Sequence, residues 1–284
     1  MKDKNLVIYI GVGVIAVALV GWLLFSMGDS PADNSTNNQT NNQSGNQNQN
    51  QNQNQTDVGA MKFTNDQKLG KILTDGRGMT LYYFSKDVPG KSNCFGQCVT
   101  AWPLYSPANF TVPSGLSQAD FKTVDRGDGT SQLAYKGWPL YYYFQDKNPG
   151  DTLGEDVNKV WFVVKDPFYQ VMIVNKTEAG NYLTDNKGMS LYYFTNDTFG
   201  SATTSPKSNC SGQCLVNWPP FYASPDDIVI PSTMDDSDFT ELTVPDGRKI
   251  LAYKGRPLYY YINDKNPGET NGQNVGNVWF LMAP

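Results

Sequence analysis

The chain has 284 residues and a formal net charge of -5, which gives no cationic footprint for nucleic acid. It contains no histidine, so His-dependent nucleophilic triads, His-ligated zinc and c-type haem attachment are excluded. The length has room for two ordinary domains, and an aromatic content of 13% argues against a wholly disordered chain.

Leu6 to Met27 is apolar and uncharged. At about 1.5 Å per residue a helix there reaches roughly 33 Å, enough for a hydrocarbon core of about 30 Å. Lys2 and Lys4 precede it, while Asp29 and Asp33 follow. The positive-inside bias therefore leaves a stub over 1–5 in the cytoplasm and sends everything after the span outside. The apolar run exceeds the core of an ordinary cleaved signal peptide, so an uncleaved signal anchor is the expectation. The span carries no Gly-x-x-x-Gly face and no ionisable residue, which makes it a tether rather than a channel.

Residues 28–58 follow, almost all Asn, Gln, Ser and Thr from Asn34 onward. Such a segment has no apolar surface to offset its ordering entropy and reads as a solvated spacer with a reach of about 25 to 30 Å.

Two homologous modules then fill 59–167 and 168–284. LTDGRGMTLYYFSKD from Leu73 matches LTDNKGMSLYYFTND from Leu183, and KSNCFGQCVTAWP from Lys91 matches KSNCSGQCLVNWP from Lys207. LAYKGWPLYYYFQDKNPG from Leu133 matches LAYKGRPLYYYINDKNPG from Leu251. The second module has absorbed extra residues around Phe199 to Pro206, which marks a surface loop. Within each module the stretch Gly-x-x-Leu-Tyr-Tyr occurs twice, so one unit has been used four times. Aromatic and β-branched runs closed by Asp, Pro and Gly predict strands. The expected hairpins run Lys71–Thr74 into Met79–Phe84, and Gln132–Tyr135 into Trp138–Phe144 across Lys136 and Gly137. Further strands are expected at Val160–Val164, Gln170–Val174 and Val278–Met282. One short helix per module is expected, with Asn93 or Asn209 as N-cap, ending before Trp102 or Trp218. The predicted class is all-β: two tandem β modules, each with two related hairpins and a short helical turn, after a single transmembrane helix.

The four copies fit Tyr-x-(Phe/Trp/Tyr)-x-x-Asp through Tyr82, Phe84 and Asp87, through Tyr141, Tyr143 and Asp146, through Tyr192, Phe194 and Asp197, and through Tyr259, Tyr261 and Asp264. With the two Ser-Asn-Cys-x-Gly-x-Cys blocks, this resembles the secreted-repeat family of predicted bacterial and archaeal lipoproteins defined by that motif. The resemblance covers nearly all of 65–284 and implies an extracytoplasmic repeat protein, without catalytic residues to carry over. One departure is that no Cys lies near the end of the apolar segment, so the helix rather than a lipid must anchor the chain.

The motif strand is apolar on both faces, with Tyr141 and Tyr143 on one and Leu140, Tyr142 and Phe144 on the other. It reads first as a strand packed on both sides, its phenols reaching partners at the sheet edge, and second as an aromatic face for sugars or protein. The motif Asp closes the strand, where a carboxylate accepts turn N–H groups. Asp146, Asp151, Glu155 and Asp156 crowd one loop and are the only calcium candidates, without EF-hand spacing. Cys94/Cys98 and Cys210/Cys214 form Cys-x3-Cys pairs outside the membrane, where a local disulfide per module is expected. A helical i, i+4 pair puts its Cα atoms near the upper end of the disulfide range. A redox pair activated by Lys91 or Lys207, or a soft-metal site completed by Met79 or Met189, is the competing reading.

The expected function is therefore a non-enzymatic binding or envelope-structural module outside the cell, needing no cofactor. Its partners are the membrane through one span, and cell-wall carbohydrate or a surface protein. The alternative is an extracytoplasmic thiol or metal-linked redox protein.

Overall fold

The computed structural model describes residues 58–176 and 178–284. The stub over 1–5, the span over 6–27 and the spacer up to residue 57 lie outside them. Among the described residues no helix is long and apolar enough to cross a membrane.

Among the described residues fourteen short strands build six small antiparallel sheets, three in each module. In the first module β1 (Lys62–Asp66) pairs with β2 (Gly70–Thr74), and β3 (Tyr82–Phe84) pairs with β7 (Trp161–Val163). A three-stranded sheet runs β4 (Phe121–Asp125), β5 (Ser131–Tyr135), β6 (Trp138–Pro139). The second module repeats this with β8 (Val171–Lys176) on β9 (Gly180–Asp185) and β10 (Tyr192–Phe194) on β14 (Trp279–Leu281). Its three-stranded sheet runs β11 (Phe239–Thr243), β12 (Lys249–Tyr253), β13 (Arg256–Pro257). The all-β expectation and the tandem repeat hold.

The predicted hairpins are real only at their turns. Thr74 bridges Thr80, and Leu81 N–H still donates to Leu73 O at 3.0 Å. Tyr82 then leaves for a new partner: its N–H donates to Tyr141 O at 2.8 Å and its carbonyl accepts from Tyr141 N–H at 2.9 Å. Tyr192 and Tyr259 make the same exchange at 2.8 Å in both directions. The second motif copy of each module is accordingly one bridged residue followed by a turn, Tyr141 between Tyr82 and Leu104 and Tyr259 between Tyr192 and Pro220, not the extended arm expected over Trp138–Phe144. The helices also start later than expected. They are α1 (Gln97–Ala101) and α2 (Gln213–Asn217), preceded by Gly96 and Gly212 without a side-chain cap. Asn93 is instead engaged elsewhere: its N–H donates to Asp87 Oδ1 at 2.6 Å and its Nδ2 to Lys86 O at 2.5 Å. Because Cys94 precedes the helix, the bridged Cα atoms sit 5.3 Å apart, and 5.4 Å in the second module. Both lie in the middle of the disulfide range rather than at its upper end.

Strand alternation sorts the motif between two kinds of core. Leu81, Tyr83, Leu140 and Tyr142 face a central cluster shared by both modules, as do Leu191, Tyr193, Leu258 and Tyr260. Tyr82, Phe84, Tyr141 and Tyr143 face a cluster private to the first module, and Tyr192, Phe194, Tyr259 and Tyr261 one private to the second. The packed-on-both-sides reading of the motif strand is thus correct. In the shared cluster the Tyr83 ring lies 5.4 Å from Tyr169, 5.5 Å from Trp138 and 5.6 Å from Phe162. Trp138 is fully buried there, and its Nε1–H donates to Asn186 O across the module boundary at 3.0 Å. Its counterpart Arg256 is half-buried, its guanidinium 4.7 Å from Tyr193 and 4.2 Å from Phe199, a residue of the lengthened loop.

The glycine that opens each motif has a second role. Lys136 and Gly137 have φ of 51° and 88°, the paired left-handed turn that matches the twist of a two-residue hairpin. A Cβ on Gly137 would sit 2.8 Å from Pro89 Cβ, in the other half of the module. Reciprocally, a Cβ on Gly78 would sit 2.9 Å from Pro149 Cβ. Gly90 and Gly150 seal these contacts, donating N–H to Gly137 O at 2.8 Å and Gly78 O at 2.9 Å. In the one copy without Pro-Gly, Gly200 takes over and donates to Gly255 O at 2.8 Å. Gly137→Ala should therefore combine a left-handed penalty with a clash against Pro89 and cost about 1 to 3 kcal/mol. Equilibrium denaturation reads this directly, and an unchanged midpoint would contradict the close approach.

Candidate functional site

Each motif ends in a turn, with the Asp N–H donating to the carbonyl of the motif aromatic: Asp87 to Phe84 at 3.0 Å, and Asp146 to Tyr143 at 3.2 Å. The turn holds the carboxylate inward, and its partner comes from the other half of the module. Tyr82 Oη–H donates to Asp146 Oδ2, and Tyr141 Oη–H to Asp87 Oδ2, both at 2.7 Å. Tyr192 donates to Asp264 at 2.6 Å and Tyr259 to Asp197 at 2.7 Å. The four motifs are therefore two exchanged pairs. Each second carboxylate oxygen accepts a loop N–H, from Asn93, Leu153, Asn209 or Asn271. The aspartate thus accepts backbone N–H groups as expected, but from six to twelve residues further along rather than from its own turn, and it is joined to a phenol that the motif spacing alone does not assign.

The third motif position brackets a column of stacked rings. Phe84 lies 4.1 Å from Trp161, Trp161 lies 3.7 Å from Trp102 at an interplanar angle of 4°, and Trp102 lies 4.3 Å from Tyr143. The second module repeats it: Phe194 to Trp279 at 4.3 Å, Trp279 to Trp218 at 3.8 Å and 4°, Trp218 to Tyr261 at 4.2 Å. The motif tyrosines stand edge-on to these columns, Tyr141 at 5.1 Å from Trp161 and Tyr82 at 5.5 Å from Trp102. The β3–β7 register, with Phe84 opposite Trp161, places the first stacked pair. The turn before Trp102 brings in the next ring.

Both predicted disulfides are formed, Cys94–Cys98 and Cys210–Cys214. In each, the first cysteine is fully buried in the private cluster and the second is half-buried beside it. The bridges staple the segment that carries Trp102 or Trp218. The acidic loop directs its four carboxylates to different places. Asp146 binds Tyr82 and Leu153, Asp151 accepts from the N–H groups of Lys147 and Asn148, and Glu155 accepts from Val163 N–H at 2.6 Å. Asp156 precedes a 3-10 turn in a left-handed conformation. Among the described residues no group of three or more acidic or cysteine side chains converges on one point.

Arg126 is a residue that the repeat pattern conceals. It is buried, donates to Ser92 Oγ at 2.7 Å, Gln132 Oε1 at 2.5 Å and the Cys94 carbonyl, and Ser92 Oγ lies 2.7 Å from the Tyr141 hydroxyl. The second module has Ile250 where the first has Gln132, and its Arg248 pairs with Asp246 at the surface. The signal was there as a mismatch between aligned modules, a buried apolar residue against a polar one.

These observations define a class: a tandem all-β repeat protein in which the motif of each half completes the other half. The chain belongs to a family described as a secreted repeat of unknown function, whose model matches four times, over residues 64–105, 122–165, 174–222 and 241–283. Each match contains one motif copy. No curated protein and no solved structure matches the chain.

Adjacent tyrosines should respond oppositely to loss of the hydroxyl. Tyr82→Phe leaves Asp146 without its phenol and should cost about 1.5 to 3 kcal/mol. Tyr83 Oη is buried with no partner among the described residues, so Tyr83→Phe should leave stability unchanged or raise it. Parallel urea melts of the two variants distinguish them.

The carboxylates also set a pH dependence. Burial pushes Asp87 up to about 7 and Asp146 and Asp197 up to about 6, against the pull of their N–H and phenol donors. The folded chain then holds protons that an unfolded aspartate, with a pKa of about 3.9, has released, so stability declines as pH rises from about 4 through 7. Exposed Asp151, Asp246 and Glu269 are lowered by their hydrogen bonds and act in the opposite sense only at more acid pH. The melting temperature should be higher near pH 5 than near pH 8, and Asp87→Asn should flatten that slope.

Proposed function

We propose that the protein is a non-enzymatic binding or envelope-structural module, held outside the cell by the apolar segment over 6–27 and the polar spacer behind it. The family is described as secreted, which accords with modules on the outer side of a membrane. The observation that carries the reading is where the motif chemistry goes. Its phenols and carboxylates satisfy one another, and its rings fill the private cores. What is left at the surface is an apolar side chain beside the half-buried outer tyrosine of each column: Phe144 beside Tyr143, and Ile262 beside Tyr261, at equivalent places in the two modules. Paired apolar and phenolic surfaces of this kind suit the C–H faces of sugar rings. Two copies on one compact unit suit a repeating polymer, for which linked weak sites add avidity. Wall polysaccharide is accordingly the first ligand class.

Cosedimentation of the full chain with insoluble wall polymer tests this. Binding is expected for the natural sequence and should drop about tenfold or more when Phe144→Ser and Ile262→Ser are combined, because the avidity of two sites is lost with them. A chain that stays in the supernatant, or a double variant that binds as well as the natural one, refutes the reading.

A further inference from the structure

The two ring columns are packed differently from the rings around Tyr83 in the central cluster. Around Tyr83 the neighbouring centroids lie 5.4 to 5.6 Å away at inclined angles, the spacing aromatic side chains adopt when packing alone decides. The tryptophan pairs instead lie 3.7 and 3.8 Å apart and within 4° of parallel, each with a further ring stacked on either side. Contact of this kind overlaps the π-systems, which is what exchange of a single electron between neighbouring rings requires. Each column has a half-buried tyrosine at one end, Tyr143 or Tyr261, and its two tryptophans are buried in the private core. Against it stand two tyrosines whose hydroxyls are each bonded to a buried carboxylate at 2.6 to 2.7 Å. Loss of an electron turns a phenol into a strong acid, and a carboxylate already in hydrogen-bond contact takes its proton without either group moving.

We propose that each module is a one-electron relay: an extracytoplasmic one-electron oxidant draws an electron from the column at its surface tyrosine, and the vacancy settles on a buried motif tyrosine whose proton passes to the paired aspartate. The oxidant gains one electron. In the first module, above about pH 7 where Asp87 is ionised, the ring of Tyr141 returns that electron to the column, its Oη–H bond breaks, and the proton forms an O–H bond with Oδ2 of Asp87. The products are a neutral tyrosyl radical and a neutral carboxylic acid. Tyr82 with Asp146, and in the second module Tyr192 with Asp264 and Tyr259 with Asp197, offer the same step. A one-electron reductant at the surface reverses it, the proton returning from the aspartate. Burial supports the direction of transfer, because it raises the proton affinity of Asp87, Asp146 and Asp197 above that of an exposed carboxylate. The relay does not rest on the sugar reading, but its entry tyrosines border Phe144 and Ile262, so a sugar bound there would screen them from the oxidant.

Flash oxidation of the full chain by photogenerated ruthenium(III) tris(bipyridine), followed by transient absorption, tests it. A tryptophanyl radical should form first and be replaced by a tyrosyl radical, more slowly in D2O than in H2O. The fourfold variant Asp87→Asn, Asp146→Asn, Asp197→Asn and Asp264→Asn keeps an oxygen to accept each phenolic hydrogen bond but removes the base. In it the tryptophanyl signal should persist and the tyrosyl growth be lost. Tyrosyl growth that is equal in the variant, or absent from the natural chain, overturns the proposal. Should the fourfold variant lose its near-ultraviolet circular dichroism, the isotope effect and a second variant decide. Tyr143→Leu with Tyr261→Leu removes only the tyrosine ends of the columns and should lower the initial tryptophanyl yield. No isotope effect, or an unchanged yield, overturns it.

Discussion

The structure depends on one reciprocal bond, a phenol of one half-module on the carboxylate of the other. A buried carboxylate without a partner is costly to keep, by several kcal/mol where it stays charged. Neither half can therefore close alone: Asp87 needs Tyr141, and Asp146 needs Tyr82. The backbone exchange between Tyr82 and Tyr141 and the seating of Gly137 on Pro89 and Gly78 on Pro149 repeat the same reciprocity in other chemistry. Side chain, main chain and turn agree on one arrangement, and that mutual support is what selects a single fold from strands only two to six residues long.

Much of this was legible in the sequence, and the part that was not has a common cause. Repetition gave the modules and the half-modules, alternation gave the two faces of the motif strand, and the Cys-x3-Cys spacing gave the bridges. The strands Phe121–Asp125 and Phe239–Thr243 carry no two-residue alternation to read, because only the first and fourth residues of each are even partly covered and the rest are Lys, Thr, Glu and Asp. The partner of Tyr82 escaped because it is set by a contact between residues 64 positions apart, while periodicity reports only on neighbours. The helix start was misplaced for a local reason. Asn93 has the side chain of a cap, but that side chain donates to Lys86 O and its N–H to Asp87, which holds it against the motif turn while Gly96 precedes the helix.

The modules differ where their place in the tandem differs. Trp138 and Tyr83 lie between the modules and are fully buried, while Arg256 and Tyr193 occupy the same motif positions at an outer margin and are half-buried. There the lengthened loop supplies Phe199 to cover the guanidinium. One repeat unit has thus been tuned twice, apolar where it meets a neighbour and amphipathic where it meets water. The columns and disulfides are nearly superimposable in their distances. Because the central cluster draws on both modules, neither is a free-standing body hung from a linker.

The exchanged tyrosines also constrain how such a chain can grow. An added single unit would bring a buried aspartate with no phenol to receive and a glycine with no proline to seat. The same deficit would follow from losing one. Lengthening by duplication is tolerable only in twos, so the parity of the repeat count, and not its size, is what the hydrogen bond between Tyr141 and Asp87 selects.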